Sequence, residues 1–294
     1  MKNHDPLGGL SSRLLSIDRR WLYLLIFVVV IIALAGGFEV DIGVTPPTMS
    51  YYRAIDALPA GAAMLLSMDI DGSTLPELEP MLRATIRHAF ERGVRVIGLA
   101  LLMEGVSIGE RLLIEAAAEL NDEYAEEGGE RRITMGEDWV YLGYRAGNEA
   151  VLLGLGTEIR HVFCRDFYGF DLDSYPLMLD IHNYDDLGLI STVSGTNWPE
   201  YWVAFAGTPF NIPILVGCTA VSAPQYYAFL QTGQMAGLLG GLKGAAEYER
   251  LINRPGLAGR AMAAQLAVHV LIVMLIMLGN VVFICERLRR RRLL

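Results

Sequence analysis

Two carboxylates separated by one residue follow an apolar run early in the chain. Residues 62–70 read AAMLLSMDI, and Asp69-Ile70-Asp71-Gly72-Ser73 closes that run. A short continuous apolar stretch ending in turn residues reads as a buried strand. Carboxylates at i and i+2 past its end face one crevice, where doubly wound sheets bind ligands. Together Asp69 and Asp71 are suited to hold Mg²⁺ through oxygen, with one attacking a phosphoryl group. Ser73, and Ser194, Thr219 and Ser222 behind later apolar runs, are further candidates for that crevice. The competing structural reading is a strand-ending turn whose aspartate caps the next helix. A second cluster, Asp180, His182, Asp185 and Asp186 in DIHNYDD, has residue types that ligate divalent metals. It has no His-x₃-His spacing, and an acidic solvated loop is the commoner explanation.

The run from Asp69 to Ser73 is similar to the first motif of the haloacid-dehalogenase-like phosphatases, a strand followed by Asp-x-Asp-Gly-Thr/Ser. The resemblance covers about ten residues and implies a nucleophile at Asp69 and an acid/base at Asp71. A later strand ending in Ser or Thr is available at Thr192 or Ser194. The acidic pair Asp185-Asp186 precedes that strand, where the family order is the reverse, and Lys243 lies after both.

Other reaction signatures are missing from the sequence: no Gly-x-Ser-x-Gly elbow, no Walker A loop, no complete Gly-x-Gly-x-x-Gly. Gly154-Leu155-Gly156 lacks a third glycine. Cys218 in VGCTA reads as a buried thiol, His88 as a surface or half-buried helix residue, and His161 has no partner in sequence. An oxidising compartment permits a Cys164–Cys218 bridge, but two buried free thiols are the favoured reading.

The elements that must position these groups alternate. Apolar runs at 62–70, 94–103, 139–145, 187–194 and 212–220 read as strands. Amphipathic stretches at 76–92, 107–120, 199–206 and 225–231 read as helices, and 150–163 fits either. Such alternation predicts an α/β domain with a doubly wound, mostly parallel sheet. Residues 121–132 read as a charged surface loop. The glycine-rich stretch 233–246 suits a loop over the sheet, a helix packed on a partner, or a membrane-surface element.

The ends differ in character. Residues 21–38 carry no charge, and residues 262–285 carry no formal charge, so both approach the roughly 20 residues that cross a bilayer. All but three of the 33 Asp and Glu lie in residues 39–261, whereas nine of the 24 Lys and Arg lie outside it. The clustering of Lys and Arg beside both apolar runs predicts two terminal transmembrane helices with both termini cytoplasmic and the central domain outside. The organisation expected is a cytoplasmic segment 1–20, a span 21–38, a domain 39–261, a span 262–285 and a basic tail 286–294. Ala33-Leu34-Ala35 offers a signal-peptide site, but the length of the run favours an anchor. Gln265, His269 and Asn280 are costly facing lipid and point to a helix–helix contact.

With 53% hydrophobic residues, 19% charged and a net charge of −9, the chain is neither disordered nor a nucleic-acid binder. The expectation is a cell-membrane protein whose domain is a non-enzymatic component of a membrane complex. Its partner would be a second copy or another membrane protein, and no cofactor is required. The alternative is a tethered phosphoryl hydrolase using Mg²⁺ with Asp69 and Asp71.

Overall fold

Six short runs form one sheet: β1 Ala63–Asp69, β2 Arg95–Ala100, β3 Trp139–Tyr144, β4 Leu189–Ser194, β5 Ile214–Cys218 and β6 Gly237–Gly240. The α-helices of four or more residues are α1 (Arg19–Ala35), α2 (Pro46–Asp56), α3 (Leu75–Glu91), α4 (Val106–Glu126), α5 (Glu149–Thr157), α6 (Ile159–Val162), α7 (Trp198–Trp202), α8 (Ala223–Gln231), α9 (Gly241–Leu251) and α10 (Leu257–Arg292). This computed structural model describes residues 18–36 and 43–292. The chain divides into two units, one Ile42–Gly259 and the other made of the two ends, Met1–Asp41 and Arg260–Leu294.

Every strand pairing is parallel, in the order β3-β2-β1-β4-β5-β6. All seven residues of β1 are buried, which is why its sequence is apolar without alternation: helices cover both faces. On one face Leu65, Ile97, Val140, Ile190 and Val216 pack with Leu152 of α5, Trp202 of α7 and Tyr226 of α8. On the other, Tyr51 of α2 hydrogen-bonds Thr85 of α3 at 3.0 Å and Ser191 of β4 at 2.7 Å. Order reverses between β1 and β4, the switch point of such a sheet.

α3 places Leu78, Leu82, Ile86, Ala89 and Phe90 at helical spacing against the core. Its outer face carries Arg83 and Arg87, which pair with Glu115, Glu119 and Glu123 of α4. Those pairings account for part of the charge in 121–132. Instead of starting a loop at Asn121, α4 continues to Glu126, and Glu123 also meets Arg254 at 3.0 Å. The ambiguous 150–163 is helical, as α5 and α6.

The glycine-rich stretch departs most from expectation: it supplies strand β6 and the start of α9. A Cβ on Gly237 would lie 2.4 Å from the backbone of Tyr51, and one on Gly240 2.9 Å from Ala223. Gly241 adopts φ +59 beside Ala220, a conformation that glycine takes at little cost. The small residues thus let an edge strand fit between α2 and α8.

At the ends, α1 covers seventeen residues, its first turn capped by Asp18, which accepts the Arg20 amide at 3.0 Å. Among the described residues one helix is long and apolar enough to cross a membrane, over Leu257–Cys285. Residues 1–17 of the expected N-terminal segment, 37–38 of the expected first span and 293–294 of the tail lie outside the described residues.

Candidate functional site

Asp69 ends β1 beside Ser194 of β4, at the carboxyl edge and at the switch point. Its side chain is fully buried and committed. One oxygen accepts the amides of Leu101 at 2.5 Å and Leu102 at 3.2 Å; the other accepts the Ser67 hydroxyl at 2.6 Å. Burial outweighs these bonds and pushes the carboxyl up to about 6. The turn that follows β2 lies directly on the end of β1, since a Cβ on Gly105 would come 2.3 Å from the Met68 carbonyl. Asp69 therefore ties two strand ends together.

Asp71 turns the other way. One oxygen accepts the Ser73 amide at 2.7 Å, the Ser73 hydroxyl at 2.6 Å and the Thr74 amide at 3.0 Å, starting α3. The Ser73 hydroxyl bond leads in holding this carboxyl below the usual carboxylate range. Among the described residues the two aspartates share no hydrogen-bond partner; Asp69 ties two strand ends and Asp71 holds a turn.

The hydroxyls beyond β4 and β5 also bond within the chain. Ser194 accepts the Thr196 amide at 3.0 Å, and Thr219 donates to Ser222 at 3.1 Å. Glu77, in the first turn of α3, accepts the Ala220 amide beyond β5 at 2.9 Å. Gly195 is tight against Thr74, whose methyl would lie 2.3 Å from an added Cβ. The chain's own turn fills the space beside β4.

The acidic cluster is a capped turn. Asp186 accepts the amides of His182 at 2.8 Å and Asn183 at 3.3 Å, while the Asn183 side chain accepts the Asp185 amide. His182 faces Glu158 at 3.6 Å, and Asp180 is exposed. Among the described residues no group of three His, Cys, Asp or Glu is placed to hold a metal. Gln265, His269 and Asn280 are exposed on α10. Cys164 and Cys218 are free, the first exposed and the second buried. His88 is buried, unlike its expected half-exposure. It bonds the Tyr248 hydroxyl at 2.7 Å and stacks on Tyr52, and burial pushes it down to about 4.

Beyond the ends of β2 and β3 the carboxyl edge opens into a cavity of about 560 Å³, within the range of small-molecule sites. Met103, Val106, Leu142 and Phe163 give it apolar walls, and Arg145, Cys164 and Arg165 reach it from two segments. The second segment is held by Asp166, which accepts the amides of Tyr168 at 3.0 Å and Phe170 at 2.8 Å and the Tyr175 hydroxyl at 2.6 Å. The Phe167 amide donates to the Tyr141 carbonyl of β3 at 2.9 Å. Gly143, at φ +76, leaves room for the Phe167 ring, 3.0 Å from where a Cβ would be. Arg145 and Arg165 stand in no motif of the sequence. The available signal was the aromatic run Phe167-Tyr168-Gly169-Phe170 beside Arg165, too apolar for an ordinary surface loop.

Comparison of the chain with family models, with curated proteins and with solved structures finds no match.

Proposed function

We propose that this chain is a two-pass membrane protein whose central α/β domain lies outside the cytoplasm as a non-enzymatic component of a membrane complex. The observation that carries the reading is α10, whose Val270, Val273, Met277, Val281 and Phe283 all face outward. Such an apolar surface is stable in lipid, not in water. Exposed Trp21, Phe27 and Ile31 on α1 support a second anchor at 21–38, with both termini cytoplasmic by the positions of Lys and Arg. Gln265, His269 and Asn280 on α10 favour neighbours with polar groups, a second copy or another membrane protein.

The non-enzymatic reading rests on Asp69, both of whose oxygens are bonded inside the fold, and on Asp71, one of whose oxygens holds the turn that starts α3. A Mg²⁺-dependent phosphoryl hydrolase would need both carboxylates free to face a substrate. Protease treatment of sealed vesicles of known orientation tests the topology. Digestion of residues 39–261 from the outer side, with both termini protected, is expected. Protection of the domain together with digestion of either terminus would overturn it.

A further inference from the structure

We propose that the cavity beyond β2 and β3 binds a small organic anion, a carboxylate on a compact apolar body. The proposal is independent of the membrane reading.

The charge of the cavity differs from that of the domain around it. Arg83, Arg87, Arg92, Arg111, Arg160 and Arg254 each sit within salt-bridge distance of a carboxylate. Arg145 and Arg165, like Arg53, Arg95, Arg131 and Arg132 elsewhere, have no such partner among the described residues, and of these only Arg145 and Arg165 share one cavity wall; Arg165 reaches only the Gly169 carbonyl, at 3.5 Å. The one carboxylate in the cavity wall, Asp166, is buried and already accepts three hydrogen bonds, so it does not answer the arginines. On a strongly acidic domain, two unanswered guanidinium groups at one opening form a local anion site. A planar guanidinium matches a carboxylate with two parallel N–H donors.

The rest of the wall sets the body of the ligand. Met103, Val106, Leu142 and Phe163 offer apolar contact, with few polar atoms to reward a sugar or a polyphosphate. The scaffold is preorganised. Asp166 and the Phe167 amide fix the segment that carries Arg165, and Tyr141 donates to the Val106 carbonyl at 2.8 Å behind the wall. Binding therefore orders chiefly the two exposed arginine side chains and not the segments that carry them.

Cys164 lies in the wall and is exposed, so it reports occupancy. The test is the rate of Cys164 alkylation by a maleimide in the detergent-solubilised full chain, read by peptide mass spectrometry. The probes are 4-phenylbutyrate and its neutral counterpart 4-phenylbutanol. The expected result is saturable slowing by phenylbutyrate alone, with Cys285 alkylation unchanged. The paired variant Arg145→Gln with Arg165→Gln should weaken that protection by about tenfold or more, with unfolding unchanged. Equal protection by both probes, equal slowing at Cys285, no protection at all, or full protection in the folded paired variant would each overturn the proposal.

Discussion

Asp69, at the end of β1, accepts the amide of Leu101 at 2.5 Å, just past the end of β2. A group that sequence spacing suggests for catalysis thus closes the edge of the sheet, and its titration becomes a matter of stability. Its folded value of about 6 lies above the ordinary 3.8, so between these values the folded state holds more protons than the unfolded. The contribution is present below pH 4 and is lost as pH rises through 6, up to about 3 kcal/mol. Asp69→Asn keeps an acceptor for the amides of Leu101 and Leu102. Relative to the parent it should therefore gain stability between pH 4 and 7 in denaturant unfolding. A difference that does not change with pH would contradict this.

His88 slopes the other way. Its folded value of about 4 lies below the ordinary 6.5, so its contribution is present above pH 6.5 and is lost as pH falls towards 4, by about 3 kcal/mol. In the parent the two slopes offset each other between pH 4 and 6. His88→Gln should expose the falling Asp69 slope, and Asp69→Asn the rising His88 slope. Parallel pH profiles for the two variants would refute the pairing.

Gly237→Ala should destabilise by about 1–3 kcal/mol, because the new methyl meets the Tyr51 backbone at 2.4 Å and backbone does not yield cheaply. Gly72→Ala, with nothing within 4 Å, is the control and should be nearly neutral. Equal melting temperatures for the two variants would show that β6 is not held in this register.

Glu249, on α9, accepts the amides of Gly256 at 3.0 Å, Ala258 at 3.1 Å and Gly259 at 3.1 Å, at the first turn of α10. Negative charge there satisfies donors that the helix itself cannot. Glu249→Gln should cost about 1–3 kcal/mol and speed hydrogen exchange at those three amides more than elsewhere. Uniform acceleration across the domain would point instead to a general loss of packing.

The sheet was readable where burial on both faces left continuous apolar runs, as in β1 and β5. β6 was not, because Gly237 and Gly240 answer to Tyr51 and Ala223, which are distant in sequence. The role of Asp69 was hidden for the same reason: its donors sit beyond β2, and which strand lies beside β1 is a tertiary fact. Arg165 comes beside Arg145 with the segment whose Phe167 amide bonds Tyr141, a contact that no periodicity signals. The end helices were legible from composition, to the extent that α10 is long and apolar enough to span.

Membership of a membrane complex is tested most directly by the native mass of the full chain in mild detergent. One chain weighs 32.4 kDa. The expected result is a stoichiometric assembly well above that mass after allowance for detergent, either several copies or a co-extracted membrane protein. A monodisperse single chain with nothing co-extracted would contradict the claim.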